Sequence, residues 1–185
     1  MPMQPIQTDG ERRRRAAMVA LLARAGADRQ AMRLCAARAA RHGTALHLEL
    51  LAAGVVTEEG LYRALAGAWS VRFVESCATH RILMAPEEAL ALMRAPPGPA
   101  LAHAIGERTE YRLIAAPARP DALAAAAVFA RYPGLRDRLL VTSPRALRAA
   151  AFAIARPLVV DIAVRRLLAA RADLSTNVVL SVGQG

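Results

Sequence analysis

HGTALHLELLAAGVVTEEGLYRALAGAWSVRFVE, His42 to Glu75, carries the pattern that decides the fold. Leu46, Leu50, Leu51 and Ala53 recur at helical spacing and predict a short helix over Thr44 to Ala53. Gly54 stops it, because glycine enters the left-handed region without a Cβ penalty. Thr57 then offers an N-cap oxygen, and Glu58 and Glu59 place negative charge where the dipole of the next helix favours it. Leu61, Leu65 and Ala68 are the buried stripe of that helix, and Val71-Arg72-Phe73-Val74 alternates as a short strand. Trp69 is read as a packing plug between subdomains.

Upstream the same pattern occurs once more. A helix is predicted from Glu11 to Ala25, with Met18, Leu21, Leu22 and Ala25 on one face, and Gly26 ends it. Asp28 is a candidate N-cap for a second helix carrying Met32, Cys35, Ala36 and Ala39, which Gly43 ends. The stop glycines Gly26 and Gly54 lie 28 residues apart, so helix, glycine and capped helix form an internal repeat. Met1 to Gly10 is expected to be disordered.

Downstream, Ala85-Pro86-Glu87-Glu88 reads as a helix start, with Leu90 and Met93 as the buried pair. Leu101, His103 and Ile105 alternate, Gly106 to Thr109 is turn-like and Tyr111 to Ala115 is a strand, which together predict a hairpin. Asp121 is read as the cap of a helix to about Arg131, broken by Tyr132-Pro133-Gly134. Leu139 to Thr142 reads as a buried strand, and Ser143-Pro144 opens a helix to about Ala155. A last amphipathic helix is expected from Pro157 to Ala172, then an extended tail. The fold class is therefore α+β and helix-rich: an N-terminal helical repeat subdomain packed on a small α/β subdomain with a short sheet. The expected boundaries are 1–10 for the tail, 11–70 for the repeat, 71–155 for the α/β unit and 156–185 for a helix and linker.

Composition limits the function classes. Hydrophobic residues make up 55% of the 185 positions, enough for a sizeable core built from alanine and leucine. The net charge is +10 and every positive side chain is arginine. These arginines recur at roughly turn spacing along predicted helices, which marks solvated helix faces, so no nucleic-acid partner is expected. Arg12 to Arg15 is the one run, fit equally for a juxtamembrane or partner contact and for the start of a helix near a frayed terminus. Cys35 and Cys77 sit among apolar residues and read as small buried hydrophobes, which points to a reducing compartment. No stretch of residues 1–185 has the length and apolarity of a membrane span, and no signal core precedes the arginines. The end at Val182-Gly183-Gln184-Gly185 reads as a cut in a longer chain.

Residues 12–75 resemble the N-terminal domain of type II secretion and type IV pilus assembly ATPases, whose relatives include a cyclic di-GMP-binding form. That family has a doubled block of arginine-leucine-glycine, an apolar pair, a glycine and a capped helix with two leucines and a glutamine. Here Leu46, the pair Leu50 and Leu51, Gly54, Leu61 and Leu65 fit the second block, and WSVRFVE resembles the closing strand. The first block keeps Met18, Leu22 and Gly26. Ala45, His47 and Ala68 replace the arginine, glycine and glutamine of the second block, and Ala17 and Val19 the arginine and glycine of the first. Arginine gives planar, bidentate donation to phosphate or guanine that alanine cannot, so cyclic di-GMP is not expected to bind and no other cofactor is implied. Residues 76–155 resemble the second part of the same domain. LLVTSPRALRAAAF and LSTNVVLSVGQG are similar to proteins in which this domain precedes a membrane-bound family 2 glycosyltransferase.

Catalytic and metal-ligating patterns are not found. His42, His47, His80 and His103 lack metal-ligand spacing, and His47 reads as a core or rim histidine. Glu87-Glu88 is read as a helix start and Ser143 as a cap. No catalytic site and no metal site are expected in this segment. The resemblance implies a non-catalytic regulatory or docking domain of a family 2 glycosyltransferase, at the cytoplasmic face of a bacterial inner membrane. Its partner would be its own catalytic or membrane region, or another protein. The interaction face would be the repeat itself, Met18, Leu22, Gly26, Leu46, Leu50, Leu51, Gly54, Leu61 and Leu65, with part of the leucine stripe exposed. The docking domain of a secretion or pilus ATPase and a cyclic di-GMP-sensing module are the alternatives.

Overall fold

The computed structural model describes residues 8–79, 81–94, 100–105 and 110–170. The fold is α+β and helix-rich, as the periodicities predict. Four helices come first: α1 (Asp9–Arg24), α2 (Arg29–His42), α3 (Leu46–Ala52) and α4 (Glu58–Trp69). Then follow β1 (Arg72–Phe73), β2 (Arg81–Leu83), α5 (Pro86–Arg94), β3 (Ala100–Ile105), β4 (Tyr111–Ala116), α6 (Ala124–Arg131), β5 (Leu139–Val141) and α7 (Pro144–Ala170). The strands form one mixed sheet in the order β1-β5-β4-β3-β2. β4 and β5 are parallel neighbours joined through α6, while β3 and β4 form the expected hairpin, with Ala102 opposite Ile114. Its turn at 106–109 lies outside the described residues.

The repeat is present at the level of individual backbone bonds. At the end of α1, Gly26 N donates to Ala23 O at 3.1 Å and Ala27 N to Leu22 O at 3.0 Å. At the end of α3, Gly54 N donates to Leu51 O at 3.1 Å and Val55 N to Leu50 O at 3.0 Å. Both are Schellman closures, with glycine in the left-handed region at φ +101° and +68°. The leucine whose carbonyl accepts the second bond is fully buried in each case, Leu22 and Leu50. The caps after the glycines are those expected: Asp28 Oδ1 accepts from Ala31 N at 2.7 Å, and Thr57 Oγ1 from Gly60 N at 3.0 Å. α4 closes in the same way, Val71 N to Ala66 O at 3.0 Å, but with Ser70 at φ +53° where glycine would be easier.

Contacts divide the chain into two compact units. The first, residues 1–83 and 97–147, contains the four repeat helices, the sheet and α6. Its core joins Leu21, Leu22, Leu50, Leu61 and Leu65 to Phe129 of α6 and Leu139 and Val141 of β5. The second unit, residues 84–96 and 148–185, is built on α5 and most of α7, with Ala89, Ala151 and Ala155 at its centre. This division departs from the expected boundaries at 70/71 and 155/156, the latter falling inside α7.

Several expectations are corrected. The tail expected to be disordered to Gly10 is helical from Asp9, because Thr8 and Glu11 form a reciprocal capping box; residues 1–7 lie outside the described residues. Leu90 and Met93 are half-buried, and the fully buried residue of α5 is Ala89, whose small side chain suits contact with Ala151 and Ala155. Asp121 is not the cap of α6; it closes a turn, its Oδ1 accepting from Leu123 N at 2.9 Å, and Leu123 precedes the helix. The buried phase of β3 is Ala102 and Ala104, with His103 exposed. β2 has three residues, too few to show a period; pairing with β3 makes it a strand. The two helices expected at either side of Arg156 are one helix with Pro157 inside it. Ala153 and Pro157 both face solvent, so water can satisfy the carbonyl that the proline leaves without a donor.

The left-handed positions give opposite expectations. A Cβ at Gly54 meets nothing within 4 Å, so Gly54→Ala tests backbone strain alone and should cost about 1–2 kcal/mol. Ser70→Gly should stabilise, by up to about 1 kcal/mol once its added chain entropy is deducted. Urea unfolding of the two variants checks both signs.

Candidate functional site

An open, shallow hollow lies between α1 and α2 on the helical repeat. On α1, Arg12, Arg15 and Val19 share one face, and on α2 Arg29, Met32 and Arg33 do so. Two adjoining cavities of about 670 Å³ and about 580 Å³ share Arg15, Val19, Arg29 and Met32, so they form one groove. Its floor is apolar: Met18 and Met32 are half-buried, and Val19 is 41% exposed. Alanines at 16, 20, 23 and 36 supply the room, since no longer side chain fills the space between the helices. The rim is cationic, with Arg12, Arg15, Arg29 and Arg33 all exposed. Asp28 is the one carboxylate among the lining residues, and it is held by the backbone of α2 as its N-cap.

The residues expected to form the interaction face fall into three groups. Leu22, Leu50, Leu61 and Leu65 are fully buried. They do not provide an exposed leucine stripe, because α1 packs on α4 and α4 packs on β5, which closes the stripe from both sides. Gly26 and Gly54 serve the helix closures. Met18, Leu46 and Leu51 remain half-buried, and Met18 and Leu46 reach the groove. Arg12 and Arg15 belong to the run that the sequence marks for a partner contact or a helix start, whereas Arg29, Arg33, Val19 and Met32 carry no such mark. Their signal was legible as Arg12, Arg15 and Val19 one turn apart and Arg29, Met32, Arg33 and Ala36 on a common face, but each helix read alone gave only a solvated face.

The other candidates fall into place as structural groups. His42 Nδ1 lies 3.1 Å from Glu49 Oε1, and Thr44 Oγ1 donates to the same oxygen at 2.6 Å. The Thr44 bond, followed by the His42 bond, lowers the Glu49 pKa. His103 Nδ1 bonds the Tyr111 hydroxyl across the hairpin, and His80 lies outside the described residues. Glu88 Oε2 accepts from Ala85 N at 3.1 Å, and Ser143 Oγ from Ala146 N at 3.1 Å; both close helix starts. Cys35 and Cys77 are free and buried, and burial pushes the Cys77 thiol pKa up. Trp69 is a core residue of the first unit whose Nε1 donates to Asp121 O at 3.0 Å. Among the described residues no three His, Cys, Asp or Glu side chains group as metal ligands, and no helix is long and apolar enough to cross a membrane.

No family model and no curated protein matches the chain. The likeness to secretion and pilus ATPase N-terminal domains therefore rests on the motif residues alone.

His47 of α3 supplies a pH-dependent element. It is 6% exposed, and its pKa is lowered from 6.5, first by burial and then by the positive charge of Arg119. Below pH 6.5 the unfolded chain takes up a proton that the folded chain resists. The contribution of His47 is thus unimpaired above pH 6.5 and stability falls as pH drops toward the lowered folded value. Thermal unfolding should show this loss between neutral and mildly acidic pH, and His47→Leu should flatten it.

Proposed function

We propose that the chain is a non-catalytic docking domain whose α1–α2 groove receives an acidic, amphipathic helical segment. The observation that carries this reading is the groove itself, an apolar floor at Val19 and Met32 under a rim of four arginines. An occupant that buries apolar side chains on Met18, Val19 and Met32 and sets carboxylates opposite Arg15, Arg29 and Arg33 satisfies both surfaces at once. Arginine suits this role, since its planar fork grips a carboxylate through two bonds. The resemblance supplies the proposed context: an accessory domain of a membrane-bound family 2 glycosyltransferase at the cytoplasmic face of a bacterial inner membrane. The segment bound would then belong to that protein's own catalytic or membrane region. Arg12 and Arg15, the two ends of the arginine run, line one side of the groove, which supports a contact of this kind. Docking in a secretion or pilus ATPase uses the same surface, and a phosphate loop in the same reading frame would favour it.

A photoreactive residue at position 19 of the protein expressed in its natural reading frame tests the proposal. Cross-links are expected within an acidic helical segment of the glycosyltransferase region. Reversing Arg15, Arg29 and Arg33 to glutamate should reduce them at least tenfold without changing the melting temperature, because all three side chains are exposed. A reading frame without a membrane span and glycosyltransferase domain would overturn the proposed parent. Cross-links indifferent to the charge reversal would overturn the groove. Heat released on titration with cyclic di-GMP would replace docking by nucleotide sensing.

A further inference from the structure

The second unit carries an apolar seam that its own core does not use. The inner face of α7 is spent on α5: Ala151 and Ala155 are buried against Ala89, with Ile154 and Val159 packed beside them. On the opposite face, Ala153, Pro157, Val160, Val164 and Leu167 recur at alternating four- and three-residue steps. All five are exposed, Val160 by 53%, Val164 by 47% and Leu167 by 64%. Alternating three and four is the spacing of a two-helix coiled-coil seam, narrower than the face a helix shows to a globular core. α7 is thus apolar on two opposite sides, and surface helices of a monomer rarely are.

The charges beside the seam indicate what covers it. Arg156 immediately precedes the seam residue Pro157, and Asp161 immediately follows the seam residue Val160. In a parallel, in-register pair of identical helices, the flank before one seam residue faces the flank after the next one on the partner. Arg156 of each chain then meets Asp161 of the other, and the twofold axis makes the pair twice. An antiparallel pair would set like flanks together, arginine-bearing beside arginine-bearing and Asp161 beside Asp161. An acidic lipid surface fits less well, because Asp161 stands at the edge of the seam. In the single chain Asp161 is half exposed and accepts from Arg165 Nε at 3.1 Å, one turn away, a contact weak enough in water to be shared.

We infer that α7 is a self-association helix, on which two copies of this chain pair in parallel through Val160, Val164 and Leu167, with Arg156–Asp161 bridges across the seam. The inference is independent of what the α1–α2 groove binds. Pairing would present two grooves on one assembly and so raise the avidity of docking to a repeated or dimeric partner.

Sedimentation equilibrium of the 185-residue chain across a wide concentration range tests it. A reversible monomer–dimer equilibrium is expected. Val164→Asp together with Leu167→Asp should shift it to monomer while leaving the circular-dichroism melt unchanged, since both side chains are exposed. Arg156→Glu or Asp161→Arg alone should weaken the dimer about tenfold, and the two together should restore it. Val160→Cys should form an intermolecular disulfide under mild oxidation, as parallel register requires. A chain that stays monomeric at the highest concentration overturns the inference. So does a dimer that the Asp substitutions leave intact, or binding to phosphatidylglycerol vesicles by a monomer through the same residues.

Discussion

Helix α4 is the constraint on which the first unit depends. It is amphipathic along its length: Leu61, Tyr62, Leu65, Ala66 and Trp69 are all buried on one broad face, while Glu59, Arg63 and Gly67 are exposed on the other. Two of these carry polar groups that must find partners once water is excluded. The Tyr62 hydroxyl donates to Pro117 O and the Trp69 indole to Asp121 O, so both reach the connection between β4 and α6. Burial also raises the Tyr62 pKa, which keeps the phenol a neutral donor. At the start of α4, Glu58 accepts from the Arg145 backbone at 3.0 Å. At the end of β1, which follows α4, Val74 O accepts from the buried Thr142 hydroxyl at 2.7 Å. A helix held in this way cannot offer its leucines to a partner, and this moves the candidate interaction surface outward to α1 and α2.

The same logic explains which parts were legible in the sequence. Gly26, Gly43 and Gly54 announced helix ends because few other residues adopt the conformation those ends require, and Asp28 and Thr57 announced starts because their side chains supply missing acceptors. Such signals are local, and a sequence carries them directly. Leu139–Val141 was legible for a related reason: a short, wholly apolar run between turn signals has few alternatives to a buried strand.

What the sequence hid was relational. Nothing in Leu61 or Leu65 distinguishes a stripe buried from both sides from one left partly open, since that depends on where β5 lies. The α1–α2 groove depends on two helices facing each other, and each alone looks like an arginine-bearing solvent face. Pro157 was read as a helix boundary because proline usually marks one, yet it continues α7 where the affected carbonyl faces water. The fold class therefore followed from the residues, while the candidate site required their assembly.

The claim that the repeat and the sheet share one core around α4 can be tested by native-state hydrogen exchange. If it holds, the amides of α4, β4 and β5 exchange through a single opening with the free energy of global unfolding and the same denaturant dependence. Slow exchange in the sheet, with α1 to α4 opening together at markedly lower free energy, would contradict it. That outcome would show the helical repeat to be a separate folding unit, with its leucines free to meet a partner.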